Sequence, residues 1–307
     1  MKVNPHQSWR ISEKVVYRFA RLLSYLPVEL VSDIGAFLGR IYAQRAMSAK
    51  RLWVDRLLHN LDHYCELNNP KERKKHLVKF IENLGRIYAE FMVQQKIVEQ
   101  GRITFDGKEV LDAIDHQVII ASCHLSNWEL MGHVAASLKR PTCDLYLPRK
   151  SRVLERLALE ARERWPIPVT FIPAAPSCYK AIVRELQQGH NFGTSIDEMK
   201  DGYVMSPSLG RDIADAGNRI FMARLAVKQG IDILPAYILP NGKGRYKAVI
   251  KPLIRVADLQ GDDATKVKSI ADQLNQIMDK AITENIEHWY WFPFFDAKAK
   301  PKRQLDS

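Results

Sequence analysis

The fold of this chain is decided by residues 118–130, VIIASCHLSNWEL. The run begins with β-branched apolar residues typical of a strand, and from Leu130 onward apolar residues recur at helical spacing. His124 and Glu129 lie between the predicted strand and the predicted helix. In α/β folds, ligands and chemistry gather beyond the carboxyl end of a strand. The stretch therefore predicts a strand–turn–helix unit whose His-x4-Glu pair is a catalytic candidate.

On the C-terminal side of this stretch, the sequence alternates between predicted strands and predicted helices. Asn241–Gly244, with the sequence Asn-Gly-Lys-Gly, predicts a hairpin. Such alternation is typical of an α/β fold with a mixed, mostly parallel central sheet flanked by helices. The further strands are predicted at 142–146, 168–172, 191–196, 231–239 and 245–250.

The N-terminal part reads as helical. We predict a helical, membrane-associating region over residues 1–100 and an α/β domain over residues 101–307, folded as one continuous unit. Residues 9–47 carry an amphipathic pattern that Pro27 interrupts. A basic amphipathic helix with Trp and Phe on its apolar face suits a membrane interface, but most amphipathic helices pack on their own domain. The pattern leaves both uses open.

Composition limits the class of protein and of partner. Of 307 residues, 46% are hydrophobic and 26% charged, which is typical of a globular protein, and the net charge is +11. Such a charge favours an anionic partner, namely nucleic acid, anionic lipid or an acidic carrier protein. A single-strand binder interleaves aromatic residues with Lys and Arg on exposed strands. No predicted strand has that pattern, so we expect no nucleic-acid partner.

Missing motifs narrow the chemistry further. The four cysteines lack CxxC spacing, which favours a reducing compartment and no metal site. GxSxG, Walker A and GxGxxG patterns are absent, so neither a serine hydrolase nor a nucleotide cofactor is expected. No run reaches the roughly 18 uninterrupted apolar residues of a spanning helix. No signal peptide is recognisable, and we expect the protein not to be exported.

The His-x4-Glu pair admits two interpretations. A neutral imidazole can take a proton from a hydroxyl near neutral pH, and a carboxylate on its other ring nitrogen fixes the tautomer. However, Ser126-x-x-Glu129 also fits a capping box, in which Glu129 only accepts hydrogen bonds from backbone N–H groups. Cys123 adjoins His124 but points to the opposite face of the strand, so we expect no Cys–His dyad.

Motifs beyond this stretch raise a family resemblance that covers about residues 20–295. Together with residues 118–129, they resemble the late lipid A acyltransferases, the bacterial lauroyl and myristoyl transferases. The motifs are Leu26-Pro27 with Gly35–Gly39, Tyr146-Leu147-Pro148, Arg162-Glu163-Arg164, Ile196-Asp197-Glu198, Leu209-Gly210-Arg211, Ala216-Gly217-Asn218 and Glu287-His288-Trp289-Tyr290-Trp291.

The resemblance implies a glycerolipid-acyltransferase-like fold and a specific activity. The enzyme would transfer a fatty acyl chain from an acyl carrier protein thioester to a hydroxyl of a lipid A precursor or related glycolipid. It would act as a peripheral protein at the cytoplasmic face of the inner membrane, on an anionic lipid surface. No metal or other cofactor is implied.

The resemblance also assigns residues. His124 would be the general base and Glu129 its orienter. Arg162 and Asp197 would be further site residues, and Arg162, with Arg164, would bind a phosphate or the phosphopantetheine of the carrier, because Arg matches phosphate geometry. Asp197 would orient that arginine or the acceptor.

The chain departs from the family pattern in three places, and the last of them bears on the acceptor. Ser126 stands where glycine is common, and Ser206-Pro207-Ser208 replaces an aromatic Phe-Phe-Gly. The terminal Trp-x-His-Arg-Arg becomes Trp291–Phe295, without arginines. This loss favours an alternative, a lysophospholipid or aminolipid O-acyltransferase. A different class, a non-catalytic basic membrane-binding protein, also fits the charge. The aromatic cluster itself predicts core packing, with an interfacial anchor as the alternative.

Overall fold

The computed structural model describes residues 9–65, 67, 69–149, 151–165, 167–175, 177–200 and 203–295. Residues 1–8 of the predicted helical region and residues 296–307 of the predicted α/β domain lie outside the described residues. The helices are α1 (Ile11–Leu23), α2 (Val28–Ser48), α3 (Leu52–Cys65), α4 (Pro70–Glu90), α5 (Gln94–Glu99), α6 (Lys108–Asp112), α7 (Met131–Ser137), α8 (Arg152–Arg162), α9 (Cys178–Gln187), α10 (Gly217–Gln229) and α11 (Asp263–Thr283). The strands are β1 (Ile103–Asp106), β2 (Val118–Ser122), β3 (Thr142–Tyr146), β4 (Val169–Pro173), β5 (Asn191–Ser195), β6 (Met199–Lys200), β7 (Tyr203–Val204), β8 (Asp232–Pro240) and β9 (Tyr246–Ile250). Short 3₁₀ turns cover Trp128–Leu130, Val256–Asp258 and Ile286–His288.

A seven-stranded sheet in the order β1-β9-β8-β2-β5-β3-β4 forms the centre of the protein. Neighbouring strands run parallel except β8 and β9, which are antiparallel. The β8–β9 hairpin closes through Asn241–Gly244, where Asn241 N–H donates to the carbonyl of Arg245 at 2.8 Å. The predicted class, a mixed and mostly parallel α/β sheet with a helical N-terminal region, is therefore confirmed.

Strand β2 lies inside the sheet, and all five of its residues are buried. Val118 and Ile120 join one hydrophobic core, and Ile119 and Ala121 join another. Successive side chains of a strand point to opposite faces, so β2 supplies the cores on both sides of the sheet. This is why its sequence is a continuous apolar run rather than an alternating one.

The N-terminal helices share these cores with the sheet. Leu57 of α3 and Phe80 of α4 lie in the same core as Ile119 of β2 and Trp289 near the C-terminus. Strand β1 begins at Ile103, close to the predicted boundary at residue 100. The boundary itself stays a prediction.

Helix α1 is oriented with its polar side inward. Its charged and polar side chains bind α8: Arg152 donates to Glu13 at 3.1 Å, Tyr17 OH to Glu160 at 2.6 Å and Arg21 to Glu160 at 3.1 Å. The apolar side faces outward. The large exposed hydrophobic residues on α1 are Ile11, Val15, Val16, Phe19 and Leu22, and those on α2 are Leu30, Phe37, Leu38 and Tyr42. We call this set the outward apolar face.

The apolar side of α1 therefore does not pack on the protein's own core as amphipathic helices usually do. Within the described residues, Leu23 is the buried position of α1. No helix in this part of the chain is long and apolar enough to cross a bilayer.

Glycines allow α2 and α4 to approach closely. A Cβ on Gly85 would lie 2.2 Å from the carbonyl oxygen of Gly35, and one on Gly39 would lie 2.5 Å from that of Ile81. Contacts this short with backbone cannot be relieved by a side-chain rotation. The crossing of α2 over α4 thus requires glycine at these positions.

We expect Gly85→Ala to lower the free energy of unfolding by about 2 kcal/mol or more, because overpacking forces backbone shifts. Gly193→Ala is the matched control, since a Cβ there would meet its nearest atoms at 3.8 and 3.9 Å. Urea unfolding of both variants measures the difference. Equal stabilities would contradict the close crossing.

Candidate active site

The site is assembled where β2 and β5 end side by side. These parallel strands pair Ser122 with Ser195, so the chain positions two residues further on, His124 and Asp197, leave the sheet together. His124 Nδ1 lies 2.9 Å from Asp197 Oδ1, and the His124 backbone N–H donates to Asp197 Oδ2 at 2.8 Å. Adjacent strand ends thus place an imidazole against a carboxylate.

Asp197 is fully buried and has a further donor. Trp289 Nε1 donates to Asp197 Oδ2 at 2.8 Å. A buried carboxylate is stable only when its lone pairs are occupied by donors. Here a backbone amide, an indole and an imidazole face it, so its position and that of His124 are fixed together.

The closing aromatic segment holds the turn that carries His124. The backbone N–H of Ser126 donates to the carbonyl of His288 at 2.8 Å, and that of Tyr290 donates to the carbonyl of His124 at 3.0 Å. Trp289 is fully buried, as are Phe292 and Phe295. The predicted core packing is confirmed for these three residues, whereas Phe294 of the same cluster is exposed. Trp289 in addition contributes the indole donor to Asp197, a role that the sequence analysis missed.

Two contacts compete for the same ring nitrogen of His124. Trp291 Nε1 lies 3.3 Å from Nδ1, which already lies 2.9 Å from the carboxylate of Asp197. Nδ1 cannot accept from the indole while it donates to Asp197. The shorter bond to an ionised acceptor is the stronger one. The proton is therefore assigned to Nδ1, and Nε2 keeps the lone pair that a general base needs.

The structure corrects the assignment of the orienting carboxylate. Glu129 was expected to hold the ring of His124, but its carboxylate binds Arg149 and Arg162 instead. The reason is placement: Glu129 lies in the 3₁₀ turn that precedes α7, whereas Asp197 comes from the strand beside β2. The capping-box alternative is also wrong, because the carboxylate accepts from guanidinium groups.

Hydrogen bonds and aromatic rings together fix the side chain of Arg162. Its Nε and Nη2 donate to Glu129 at 3.0 and 2.9 Å, a two-point contact that fixes the planar guanidinium. The guanidinium carbon also lies 4.6 Å from the ring centre of Phe171 and 5.2 Å from that of Tyr146. Arg162 is therefore not a solvated residue on the surface of a helix, although a charged residue at such a position often is.

Arg149 joins this cluster, although the sequence analysis did not select it. Its side chain contacts Glu129 and lies 5.0 Å from the ring centre of Phe91. The residue directly follows Tyr146-Leu147-Pro148, so its place in that motif was the available signal. Arg164, by contrast, is exposed and is not among the described residues that line the cavity.

Ser126 explains how the turn is formed. Its φ is +53°, in the left-handed region that glycine adopts most readily. The next residue, Asn127, is fully buried, and its amide donates to Glu90 of α4 at 3.2 Å. Burial raises the pKa of Glu90. The turn is thus anchored to the N-terminal helices as well as to the C-terminal segment.

His124 opens into a cavity of about 800 Å³. Alternate residues of four parallel strands form its wall on the sheet side, as the two-residue period of strands requires. The opposite wall is formed by α7 and by residues around Arg162. The lining residues that show this alternation are Ile120 and Ser122 of β2, Gly193 and Ser195 of β5, Thr142, Asp144 and Tyr146 of β3, and Val169 and Phe171 of β4.

Two carboxyl groups along this cavity have raised pKa values. Burial raises the pKa of Asp144 to about 7, even though the nearby guanidinium of Arg162 lowers it. Burial likewise raises the pKa of Glu198 to about 7, although its Oε1 accepts from the backbone N–H of Asn218. Perturbed acids in a cleft are common at functional sites. Within the described ranges, no cluster of three or more His, Cys, Asp or Glu could hold a metal ion.

The fold and the site define an α/β protein with a His–Asp pair at a large cavity. Residues 7–293 match the model of the bacterial lipid A biosynthesis acyltransferase family. This match covers most of the chain, which therefore belongs to that family and is an acyltransferase.

Other comparisons are more distant. A solved structure, the 1-acyl-sn-glycerophosphate (LPA) acyltransferase PlsC from Thermotoga maritima, is similar to this chain with a TM-score of 0.38 and 15% identity. The similarity covers 81% of this chain and 97% of that chain. No curated protein sequence matches the chain significantly.

The raised pKa of Asp144 predicts how stability depends on pH. Between about pH 4 and 7 the unfolded chain has lost this proton while the folded chain keeps it. Stability should therefore fall as the pH rises through that window, by at most about 1.4 kcal/mol per pH unit, and then level off. Asp144→Asn should lose the contribution of Asp144 to this slope and keep that of Glu198. The free energy of unfolding of the variant should therefore increase relative to that of wild type as the pH rises.

Urea unfolding at several pH values measures the slope for each protein. Asp258→Asn, at an exposed carboxyl, is the control and should keep the slope of wild type. A difference between wild type and Asp144→Asn that stays constant with pH would mean that Asp144 is ionised throughout.

Proposed function

We propose that this acyltransferase moves a fatty acyl chain from an acyl carrier protein thioester to a hydroxyl of a lipid A precursor or related glycolipid. The observation that supports the proposal is the His124–Asp197 pair at the cavity, in a chain of this family. The acyl donor and the acceptor class follow the family, whereas the chemistry follows the geometry.

The reaction needs a single base. Nε2 of His124 takes the proton of the acceptor hydroxyl while the oxygen attacks the thioester carbonyl carbon. Asp197 stabilises the imidazolium through Nδ1–H. The tetrahedral intermediate then collapses, the carbon–sulfur bond breaks, and the imidazolium returns its proton to the leaving thiolate. The acyl group passes directly to the acceptor, so no acyl-enzyme is required.

The Arg149–Glu129–Arg162 cluster suits a phosphate. Two guanidinium groups share one carboxylate, which leaves a net positive charge beside the cavity. Arg149 Nε and Arg162 Nη1 are buried without a hydrogen-bond partner among the described residues. Buried donors of this kind favour an anionic ligand. We assign them the phosphate of the carrier's phosphopantetheine or of the acceptor, with Glu129 holding both arginines in place.

Arg164 has a different part in the proposal. Because it is exposed and outside the cavity, it contributes to the basic surface rather than to a buried phosphate site. A basic surface steers an acidic carrier protein toward the enzyme and speeds association. The overall net charge of +11 supports the same step.

The C-terminal segment favours the second candidate, a lysophospholipid or aminolipid O-acyltransferase. Buried Phe292 and Phe295 occupy the segment where the family pattern has arginines. An acceptor with fewer anionic groups needs fewer cations. The chemistry at His124 would be the same for both acceptors, so the products distinguish them.

The outward apolar face supports a membrane location. On α1, Glu13 and Arg21 are engaged with α8, and the apolar side chains point away from the protein. Exposed apolar helix faces of this size mark interaction sites, and Lys14 and Arg18 on the same helix suit anionic headgroups. We propose that α1 and α2 dock on the cytoplasmic face of the inner membrane as a peripheral anchor.

His124→Ala should abolish transfer, and Asp197→Asn should lower kcat about a thousandfold or more with little change in KM, because the wrong tautomer is then favoured. Glu129→Gln should instead raise KM for the substrate whose phosphate these arginines bind, donor or acceptor, since it releases Arg149 and Arg162. The assay uses purified enzyme, acyl carrier thioesters and candidate acceptors, read by mass spectrometry.

The assay also separates the candidate functions. Transfer to a Kdo-bearing lipid A precursor supports the first candidate, and transfer only to a lysolipid supports the second. Unchanged turnover in His124→Ala would overturn the mechanism. A large kcat loss in Glu129→Gln with an active Asp197→Asn would make Glu129 the orienter.

The double variant Phe19→Ser, Leu22→Ser should bind anionic vesicles at least about tenfold more weakly, because each buried apolar side chain contributes about 1.5–3 kcal/mol. Sedimentation with vesicles of phosphatidylglycerol and phosphatidylethanolamine measures binding. Tyr179→Ser, at an exposed aromatic residue of α9, is the control. Wild-type binding by the double variant would exclude α1 as the anchor.

A further inference from the structure

The cavity extends across the sheet, away from His124. Ile120, Gly193, Asp144 and Phe171 lie in register on β2, β5, β3 and β4, and all four line the cavity. Three strand spacings of about 4.8 Å separate β2 from the edge strand β4, a distance of about 14 Å. The cavity therefore reaches from β2, the strand that leads to His124, to the edge strand β4.

Apolar side chains dominate the end near β4. Val169 and Phe171 line this part on the sheet side, and Gly132 and Ala135 of α7 line it on the other. An apolar space of this kind takes hydrocarbon and offers little to a charged group. We call it the edge chamber.

Trp165 closes the edge chamber. A Cβ on Gly132 would lie 2.3 Å from the indole ring of Trp165, so the indole rests directly on α7. The ring centres of Trp165 and Phe171 are 6.2 Å apart. The indole therefore spans the space between α7 and β4, and it lines the cavity itself.

Gly193 keeps the path to the edge chamber open. It lies on β5, between the catalytic strand β2 and β3. A Cβ added there would meet the Ile120 Cβ at 3.8 Å and Thr142 Cγ2 at 3.9 Å, so a larger side chain would fit and would project into the cavity. The absence of a side chain leaves this space to a ligand.

We propose that Trp165 sets the upper limit of acyl chain length and that Gly193 keeps the passage to it free. The inference rests on the proposed acyl transfer. A chain whose carbonyl carbon is at His124 extends across the sheet until its end meets the indole. One methylene more or less in an apolar pocket changes selectivity by about tenfold or more.

Asp144 is compatible with this path. Its carboxyl lines the passage, and its raised pKa leaves it partly uncharged near neutral pH. A neutral acid costs far less to pack against hydrocarbon than a carboxylate does. The groups that act on its charge are Arg162, Glu129 and His124. Of these, Arg162 packs on Phe171 and so borders the edge chamber, but its guanidinium is held by two hydrogen bonds to Glu129.

The experiment offers the enzyme an equimolar mixture of decanoyl, lauroyl, myristoyl, palmitoyl and stearoyl carrier thioesters, and mass spectrometry reads the product chains. The graded series Trp165→Phe, Trp165→Leu and Trp165→Ala should shift the products stepwise to longer chains. The ratio of the longer chain to the wild-type chain should rise about tenfold or more in Trp165→Ala. Gly193→Val should shift the products to shorter chains.

Trp53→Leu, at a tryptophan of α3 outside the cavity lining, should keep the wild-type profile. Thermal unfolding identifies any variant that fails to fold. If Trp165→Ala does not fold, the expected shift of Gly193→Val to shorter product chains still tests the proposed path of the acyl chain. Active variants of both positions with the wild-type profile would overturn the inference. A wild-type enzyme that transfers no chain from any carrier thioester would overturn the proposed function instead.

Discussion

The parallel pairing of β2 with β5 is the constraint on which the site depends. Side chains on a strand alternate between faces, so a slip of one residue would turn His124 and Asp197 away from each other. The register is locked at the start of the pair by a side chain. The buried amide oxygen of Asn191 accepts from the backbone N–H of Val118 at 3.0 Å. Four residue pairs, from Ile119–Phe192 to Ser122–Ser195, then bring the imidazole to the carboxylate.

The same carboxylate links the site to the end of the chain. Trp289 is a core residue by burial and a hydrogen-bond donor by chemistry, so packing and function are served by one side chain. The indole of Trp289 is neutral, so it can donate a hydrogen bond to Asp197 and leave the negative charge of the carboxylate to stabilise the imidazolium. The aromatic C-terminal segment is therefore better described as part of the site's framework than as a membrane anchor.

The sequence predicted the elements of the fold well because their signals are local. The apolar run of β2, the Asn-Gly hairpin and the place of His124 all follow from short windows. The partner of His124 did not, because it lies 73 residues further along the chain. A local window offered only Glu129, whose partners come from the segment after β3 and from α8. The sequence did not separate Arg162 from Arg164 either: Arg162 is the last residue of α8, whereas Arg164 lies beyond the end of that helix.

The orientation of α1 is a further case in which pattern alone was insufficient, since an amphipathic sequence reads the same whichever side faces the protein. The structure resolves it through α8. Arg152 and Glu160 hold the polar side of α1, and Arg162, at the end of the same helix, reaches Glu129 in the cavity. Helix α8, of eleven residues, thus contacts the inward side of α1 and also reaches the site. The outward apolar face lies on the opposite side of α1, so α1 alone separates that face from the helix that positions the cavity's arginine.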